Sequence, residues 1–390
     1  MDSLPTETIL HIISFLSAHD LKHFSLVSTR FAPLAQPALF KSATILTYVG
    51  GIRSENFVDF VDVVVKRPQI GLMIKRLDIS TGFDECLHYQ PLVQLMERVR
   101  NLRELLYHGN GSPPSITFRP HQFPQLHRIQ WSLLGTGPDI LRTILPYSHV
   151  TDLSLHGRPT HLQSKVAFTA LLEPGASKWI DNLVKYRGYS YLIEGLSEDA
   201  KLQHFCSRNS LSEETLQGLA SKRLLSLHVD IQPSLQCLGE PFLPPSLLPP
   251  LFPNLQSVVY LPVQLGPGVR DFSLNRTLPA NDRLQILCPF QDPANSPLIA
   301  CLQQLRDLRR VAFVVVDTTQ NWSFYDLFIT DLQNFIHEHS LRLERIYIRR
   351  DNGEGYWFRR YTKQINSRGD LVSWRVDHFI LERLEFVDRR

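Results

Sequence analysis

The sequence predicts a mixed α/β protein: a small all-α unit of three helices at the front, followed by an irregular α/β solenoid with parallel strands on its concave side. Three observations carry this reading. Apolar residues at helical spacing fill the first forty-odd positions. An L-x-x-L-x-L pattern, with the apolar type free to vary, then recurs from Ile74 to Phe386. Between its copies lie helix start signals of the Ser-Pro and Ser-x-x-Asp kind.

The front unit divides into three. Leu4-Pro5 opens it, and proline suits a helix's first position because its missing N–H is not needed there. Ile9, Ile12, Ile13 and Leu16 follow at i, i+3, i+4, i+7, one apolar stripe. Ser17 with Asp20 reads as a capping box starting a second helix through Leu21, Phe24 and Leu26. Ser28 is placed to cap a third helix carrying Phe31, Leu34 and Ala35. Pro33 then falls about five residues into that helix, which predicts a short or kinked one. Roughly 40 residues bury too little to stand without staples or a partner. Here there is neither cysteine nor a metal-ligand cluster, and more large aliphatics than three short helices can hide. Exposed apolar surface of that kind marks an interaction site. The alternative is a helical cap that buries the same residues against the following domain.

The ordered landmarks from Leu4 to Phe31, LP-x-E-x-I-L-x-x-I-x-S-F-L-x-x-x-D-L-x-x-x-S-L-V-S-x-R-F, resemble the F-box, with a weaker tail to Phe40. The resemblance implies a module that docks on a Skp-type adaptor and, through it, on a cullin–RING ubiquitin ligase. Leu4, Pro5, Ile9, Ile13, Leu16, Leu21 and Val27 match the family's adaptor-contacting and core positions.

A chain of 390 residues exceeds one typical core, so two domains or a repeat array is expected. The boundaries drawn from the sequence are 1–46 for the F-box, 47–72 for a bridging helix and linker, and 73–390 for the array. A net charge of +3 is too small to argue for nucleic acid or a membrane surface as partner. No aliphatic run approaches a bilayer span. The five cysteines are scattered, without CxxC or Cys/His spacing, so no metal and no disulfide framework is expected. Reduced thiols point to cytoplasm or nucleus.

The bridging helix spans Ser54 to Lys66, with Phe57, Phe60, Val61 and Val64 on one face, and Arg67-Pro68 ends it. The repeat then starts at Ile74, Leu102, Leu126, Val150, Leu202 and Leu224. It goes on at Leu255, Leu284, Leu308, Leu343 and Leu381. Starts lie 22 to 38 residues apart except for one gap of 52, which predicts a degenerate copy near Leu183 to Tyr186. Leucine-rich repeats have periods of roughly 20–29 residues, each a strand and a helix or tighter turn. The stretch from 73 onward is thus similar to an irregular leucine-rich-repeat array, of a kind common in F-box proteins. One closed α/β sheet is the competing architecture. Helices are expected after Ser296-Pro297, after Ser323 with Asp326, and at Glu213-Glu214.

Three stretches invite labels that the residues do not sustain. Pro241 to Pro253 is rich in proline, but its Leu and Phe content favours an inter-repeat loop over a polyproline ligand. His337 and His339 lie two apart on a helix and face different sides. Gly109 to Ser112 lacks the phosphate-loop lysine. No catalytic motif or cofactor fingerprint occurs, so a non-catalytic subunit is expected, with no cofactor.

Strand alternation sends the residues two, four and six after each first Leu to the solvent face. In the early copies these are polar, for example Arg76, Glu104, Arg128 and Asp152. Later they turn apolar: Val259, Leu261, Phe290 and Val314 form a candidate target-binding patch, flanked by Arg310, Arg345, Tyr347 and Arg349. The Leu284 copy has the least regular strand, because Pro289 interrupts it. The function expected is substrate recognition within an SCF-type ubiquitin ligase. An adaptor-bound scaffold and a small-molecule receptor, both outside ubiquitylation, are the alternatives.

Overall fold

Burial follows the repeat. The computed structural model of the chain describes residues 4–46, 48–49, 52–53, 55–80, 89–108, 122–132, 149–156, 177–190, 193, 196–207, 211, 213–229, 247–265, 297–317, 334, 342–351, 356–365 and 371–379. Among these, the apolar positions of the copies starting at Ile74, Leu102, Leu126, Val150, Leu202 and Leu224 are all buried, as are the first two of the copies at Leu255, Leu308 and Leu343. The copies at Leu284 and Leu381 lie outside the described residues, as do the helix expected after Ser323, His337 to His339, and Gly109 to Ser112. Two compact units divide the chain: Met1–Arg187 with Gly195–Ala200, and Gly188–Glu194 with Lys201–Arg390.

The first unit opens with helices α1 (Thr6–Ile13), α2 (Ala18–Val27) and α3 (Ala32–Leu39). Ser17 caps α2: its hydroxyl accepts the Asp20 N–H at 3.2 Å and donates to the Asp20 carboxylate at 2.6 Å. That hydrogen bond from Ser17 holds the Asp20 carboxyl below its usual range. The third helix starts later than its expected cap. Ser28 ends α2 in extended backbone, and its carbonyl accepts the N–H groups of Phe31 and Ala32. Pro33 therefore lies in the first turn of α3, where it is tolerated, and Pro37 is the proline inside the helix.

Strands β1 (Ser42–Leu46), β4 (Arg76–Ser80), β5 (Glu104–His108), β6 (Arg128–Ser132), β7 (Asp152–His156) and β8 (Lys185–Gly188) pair in that order, all parallel. The short β2 (Tyr48–Val49) and β3 (Ile52–Arg53) form an antiparallel hairpin between β1 and α4. Helix α4 (Glu55–Lys66) buries Phe57, Val61 and Val64, the face its spacing predicts. A second helix, α5 (Pro68–Met73), starts at once, because Pro68 ends one helix and suits the first turn of the next. It packs on α6 (Tyr89–Arg98) through Gly71, where an added Cβ would lie 2.8 Å from the Arg98 carbonyl oxygen. The degenerate copy is present: Leu183 and Tyr186 are buried, Leu183 just before β8 and Tyr186 within it.

In the second unit β9 (His204–Ser207), β10 (Ser226–Val229), β11 (Ser257–Leu265), β12 (Arg310–Asp317) and β13 (Arg345–Asp351) are parallel neighbours. Helices Glu213–Ala220 and Pro297–Gln304 occupy expected positions; the former begins with two acidic residues, the latter buries Ile299 and Leu302. Within the proline-rich stretch, Leu248–Leu251 is a short helix with Leu248 and Pro249 buried, an inter-repeat element. The unit departs from the expected pattern at its end. Strand β14 (Tyr356–Ile365) pairs antiparallel with β13, and β15 (Leu371–Phe379) antiparallel with β14. Ten and nine residues long, they carry aromatic and basic residues at both alternations, so no L-x-x-L-x-L marks them.

Within the two units, nine of the described strand junctions are built in one way. The carbonyl just before one strand accepts two successive N–H groups at the start of the next, as Lys75 O does from Arg103 and Glu104 and Gln256 O does from Arg309 and Arg310. These bonds span 2.7–3.1 Å. The device satisfies both donors at these junctions, and it fixes the register that places the solvent-side residues.

Candidate protein-interaction surfaces

The three front helices enclose a small core of their own. Ile9, Ile13, Leu21, Phe31 and Ala35 are buried in it, with Leu4, Leu16, Phe24 and Leu34 packed around them. Phe24 and Phe31 stack at 4.7 Å with their rings nearly parallel. The Arg30 guanidinium donates to the Leu4 carbonyl at 2.8 Å and ties the chain's entry to the start of α3. Ile9, Ile13 and Leu21 hold the unit together from inside, while Leu4 and Leu16 are half-buried at its margin. Of the seven positions, Pro5 and Val27 are exposed.

Exposed apolar surface is also present, on Ile12 of the predicted stripe and on four residues outside it. Leu10 and Ile12 are exposed on α1, and Phe15 just after it retains 76% of its surface. At the end of α2, Leu26 retains 75% and Val27 68%. A sequence signal for them exists. Ile9, Leu10, Ile12 and Ile13 put four apolar residues in five positions, and a helix cannot turn all of them to one side.

The F-box-like family profile matches residues 1–45. No curated protein matches the chain. The matched segment comprises the three helices and all five exposed apolar residues. An F-box-like domain typically belongs to a non-catalytic receptor and implies docking on a Skp-type adaptor, in general terms a role in ubiquitin ligation.

In the first unit, the face opposite the buried positions carries a ladder of alternating charge. Arg76, Glu104, Arg128, Asp152 and Lys185 are successive partners across β4 to β8. Glu104 Oε2 lies 3.7 Å from both Arg76 and Arg128, and Arg128 Nε lies 3.5 Å from Asp152. Opposite charges on neighbouring strands stabilise the pairing, and like charges oppose it. Burial pushes the Asp152 carboxyl up, against the opposing pull of Arg128 and Lys185. Further along the same two strands, Asp78 and His108 approach diagonally to 3.7 Å.

The corresponding row of the second unit is different. His204, Ser226 and Ser257 lead to Arg310 and Arg345, then to Thr362 and Arg375 on the added hairpin. His204 Nδ1 lies 2.9 Å from Ser226 Oγ, and His228 Nε2 lies 3.2 Å from Ser257 Oγ. No position of the row is a carboxylate.

The target-binding residues named from the sequence distribute over these strands. Arg310 and Arg345 are half-buried partners in that row. Val259 pairs with Ala312, which pairs with Tyr347. A bulge at Tyr260 then shifts the register, so Leu261 pairs with Phe313, and Pro262 shares the rung of Val314 and Arg349. Simple alternation had put Leu261 beside Val314. Phe290 lies outside the described residues. Ala312 is buried although alternation assigns it to the solvent side; a small side chain between strands about 4.8 Å apart is shaded by its neighbours.

Among the described residues no group of three or more histidine, cysteine or carboxylate side chains is arranged to hold a metal. No helix there is long and apolar enough to cross a membrane. Burial pushes the Cys301 thiol up to about 12, which keeps it protonated and unreactive at neutral pH.

Proposed function

We propose that the protein is a non-catalytic substrate-recognition subunit of an SCF-type ubiquitin ligase. The front module docks on the Skp-type adaptor, and the strand array recruits the protein to be ubiquitylated. The observation that carries this is the coincidence of the F-box-like match at residues 1–45 with five exposed large apolar side chains on that same segment. A module that has closed a core of its own has no folding reason to expose Phe15, Leu26 and Val27, whereas a docking face does. The repeated strand junctions, with one carbonyl receiving two N–H groups, support a leucine-rich-repeat-like array over 73–390 as receptor. The patch around Val259, Leu261, Phe290 and Val314, with Arg310, Arg345, Tyr347 and Arg349, is its target-facing region. The complex works where adaptor and cullin do, in cytoplasm or nucleus.

The test is co-purification from cells of the wild type beside a Leu4→Ala/Pro5→Ala variant and a Phe15→Asp/Leu26→Asp variant, with mass spectrometry of the retained proteins. Adaptor and cullin are expected with the wild type and lost from the Asp variant, while proteins held by the array remain. Recovery of adaptor without cullin would support a scaffold outside ubiquitylation.

A further inference from the structure

The outer side of α2 carries a pair of side chains that adaptor docking leaves unexplained. His19 and His23 stand four residues apart, about one helical turn, so both imidazoles project from one side of the helix. Both are exposed. Their Nε2 atoms approach to 3.3 Å while the ring centroids lie 4.5 Å apart, so the two rings turn the same nitrogen toward each other. Nitrogens 3.3 Å apart, each about 2.0–2.1 Å from a zinc ion, subtend about 104–111° at the metal, which is the tetrahedral geometry zinc takes in proteins. The other nitrogen of His19 is placed as well. Its Nδ1 lies 3.7 Å from Asp20 Oδ1, and the second oxygen of that carboxylate is held by the Ser17 hydroxyl at 2.6 Å. A carboxylate beside the far ring nitrogen favours the proton there and leaves the Nε2 lone pair to a metal. Among the described residues no third histidine, cysteine or carboxylate completes a metal-ligating group.

We infer that His19 and His23 together bind a divalent transition metal of the zinc class, with water in the two remaining tetrahedral positions. A His-x-x-x-His spacing on a helix is an arrangement that brings two imidazoles to one metal. Neutral imidazole suits zinc, copper and nickel, whereas magnesium and calcium take oxygen ligands, so the pair selects against the commoner cations. Before the metal binds, one Nε2–H donates to the Nε2 of the other ring. On binding, that proton passes through water to Nδ1 of its own ring, both imidazoles stay neutral, and both Nε2 lone pairs go to the metal. The hydrogen bond alone is a weak reason for the two rings to converge, because the His19 side chain is 79% exposed and water competes for each nitrogen. Leu26 and Val27, seven and eight residues on from His19, continue the same side of α2. The metal thus sits in line with the exposed apolar end of that helix. The inference stands on the geometry of α2 and does not depend on the ligase role.

The test uses the full chain and zinc chloride alone, with the rate of acylation of each histidine by diethyl pyrocarbonate read by peptide mass spectrometry. Zinc titrated through the micromolar range should protect His19 and His23 together, with one midpoint for both. At about ten times that midpoint their acylation should slow about tenfold, while the exposed His127 on the first unit keeps its rate. His23→Gln should raise the midpoint for His19 by about tenfold or more, as loss of one of two ligands requires, and His19→Gln should do the same for His23. Both positions are exposed and glutamine is a good helix former, so these variants keep the fold. Magnesium chloride at equal concentration should protect neither. Protection of His19 undiminished by His23→Gln, protection of His127 in step with the pair, an equal effect of magnesium, or a midpoint in the millimolar range would each overturn the inference.

Discussion

Truncating Phe15 and Leu26 to alanine should cut adaptor affinity by about one to two orders of magnitude while leaving the module folded. Both side chains keep about three quarters of their surface exposed, 76% and 75%. Burying a whole Leu or Phe side chain contributes roughly 1.5–3 kcal/mol, so covering three quarters of one is worth about 1–2 kcal/mol. Alanine forfeits most of that at each site, about 1.5–3 kcal/mol together, and every 1.4 kcal/mol is about tenfold in affinity. Neither residue belongs to the enclosed core of Ile9, Ile13, Leu21, Phe31 and Ala35, so the melting temperature should stay put. Calorimetric titration of the purified adaptor gives the affinity, and a thermal melt gives the stability. Ile9→Ala is the contrasting variant. Its side chain is 1% exposed, so its loss opens a cavity costing about 2–5 kcal/mol, and adaptor binding falls because the unit unfolds. Unchanged affinity in a folded Phe15→Ala/Leu26→Ala protein would refute the assignment of the docking face.

Three further perturbations follow from the packing. Gly71→Ala should destabilise by about 1–3 kcal/mol, read by chemical denaturation, because its Cβ meets the rigid Arg98 backbone rather than a movable side chain. Gly218→Ala should stabilise by about 0.5–1 kcal/mol in the same assay, since it lies inside the helix Glu213–Ala220 with nothing near its Cβ position. The raised Asp152 carboxyl predicts a pH effect. The folded state binds that proton more tightly than the unfolded state, so the contribution is fully present below the ordinary value of 3.8 and is lost as pH rises through the folded one. Stability of the wild type minus that of Asp152→Asn, measured from pH 3 upward, should therefore decline across that window, and a flat difference would contradict it.

Much of this arrangement is legible in the residues, and what escaped did so for identifiable reasons. The copies at Leu77, Leu105, Ile129 and Leu153 were readable because one apolar period marks both the strand and its buried side. Even the weak copy at Leu183 and Tyr186 is legible through the doubled spacing. Strand β1 went unseen, since Ile45 is its only buried residue and no repeat precedes it. The hairpin β14–β15 went unseen because Tyr356 to Ile365 alternates no single polarity. In α1 the spacing correctly grouped Ile9 with Ile13 but could not say whether that stripe or the neighbouring Leu10 and Phe15 would face water. Three helices closing on one another decide that, and single-helix periodicity does not contain it. The bulge at Tyr260 likewise has no composition of its own, yet it carries Leu261 out of the rung that alternation had given it.

The ladder from Arg76 to Lys185 also restricts how this chain can change length. Excising the β5 copy would set Arg76 against Arg128, and excising β6 would set Glu104 against Asp152. Dropping β5 and β6 together would restore alternation, with Arg76 facing Asp152. Parity is thus written into this part of the sheet, and copies here are expected to be gained or lost two at a time.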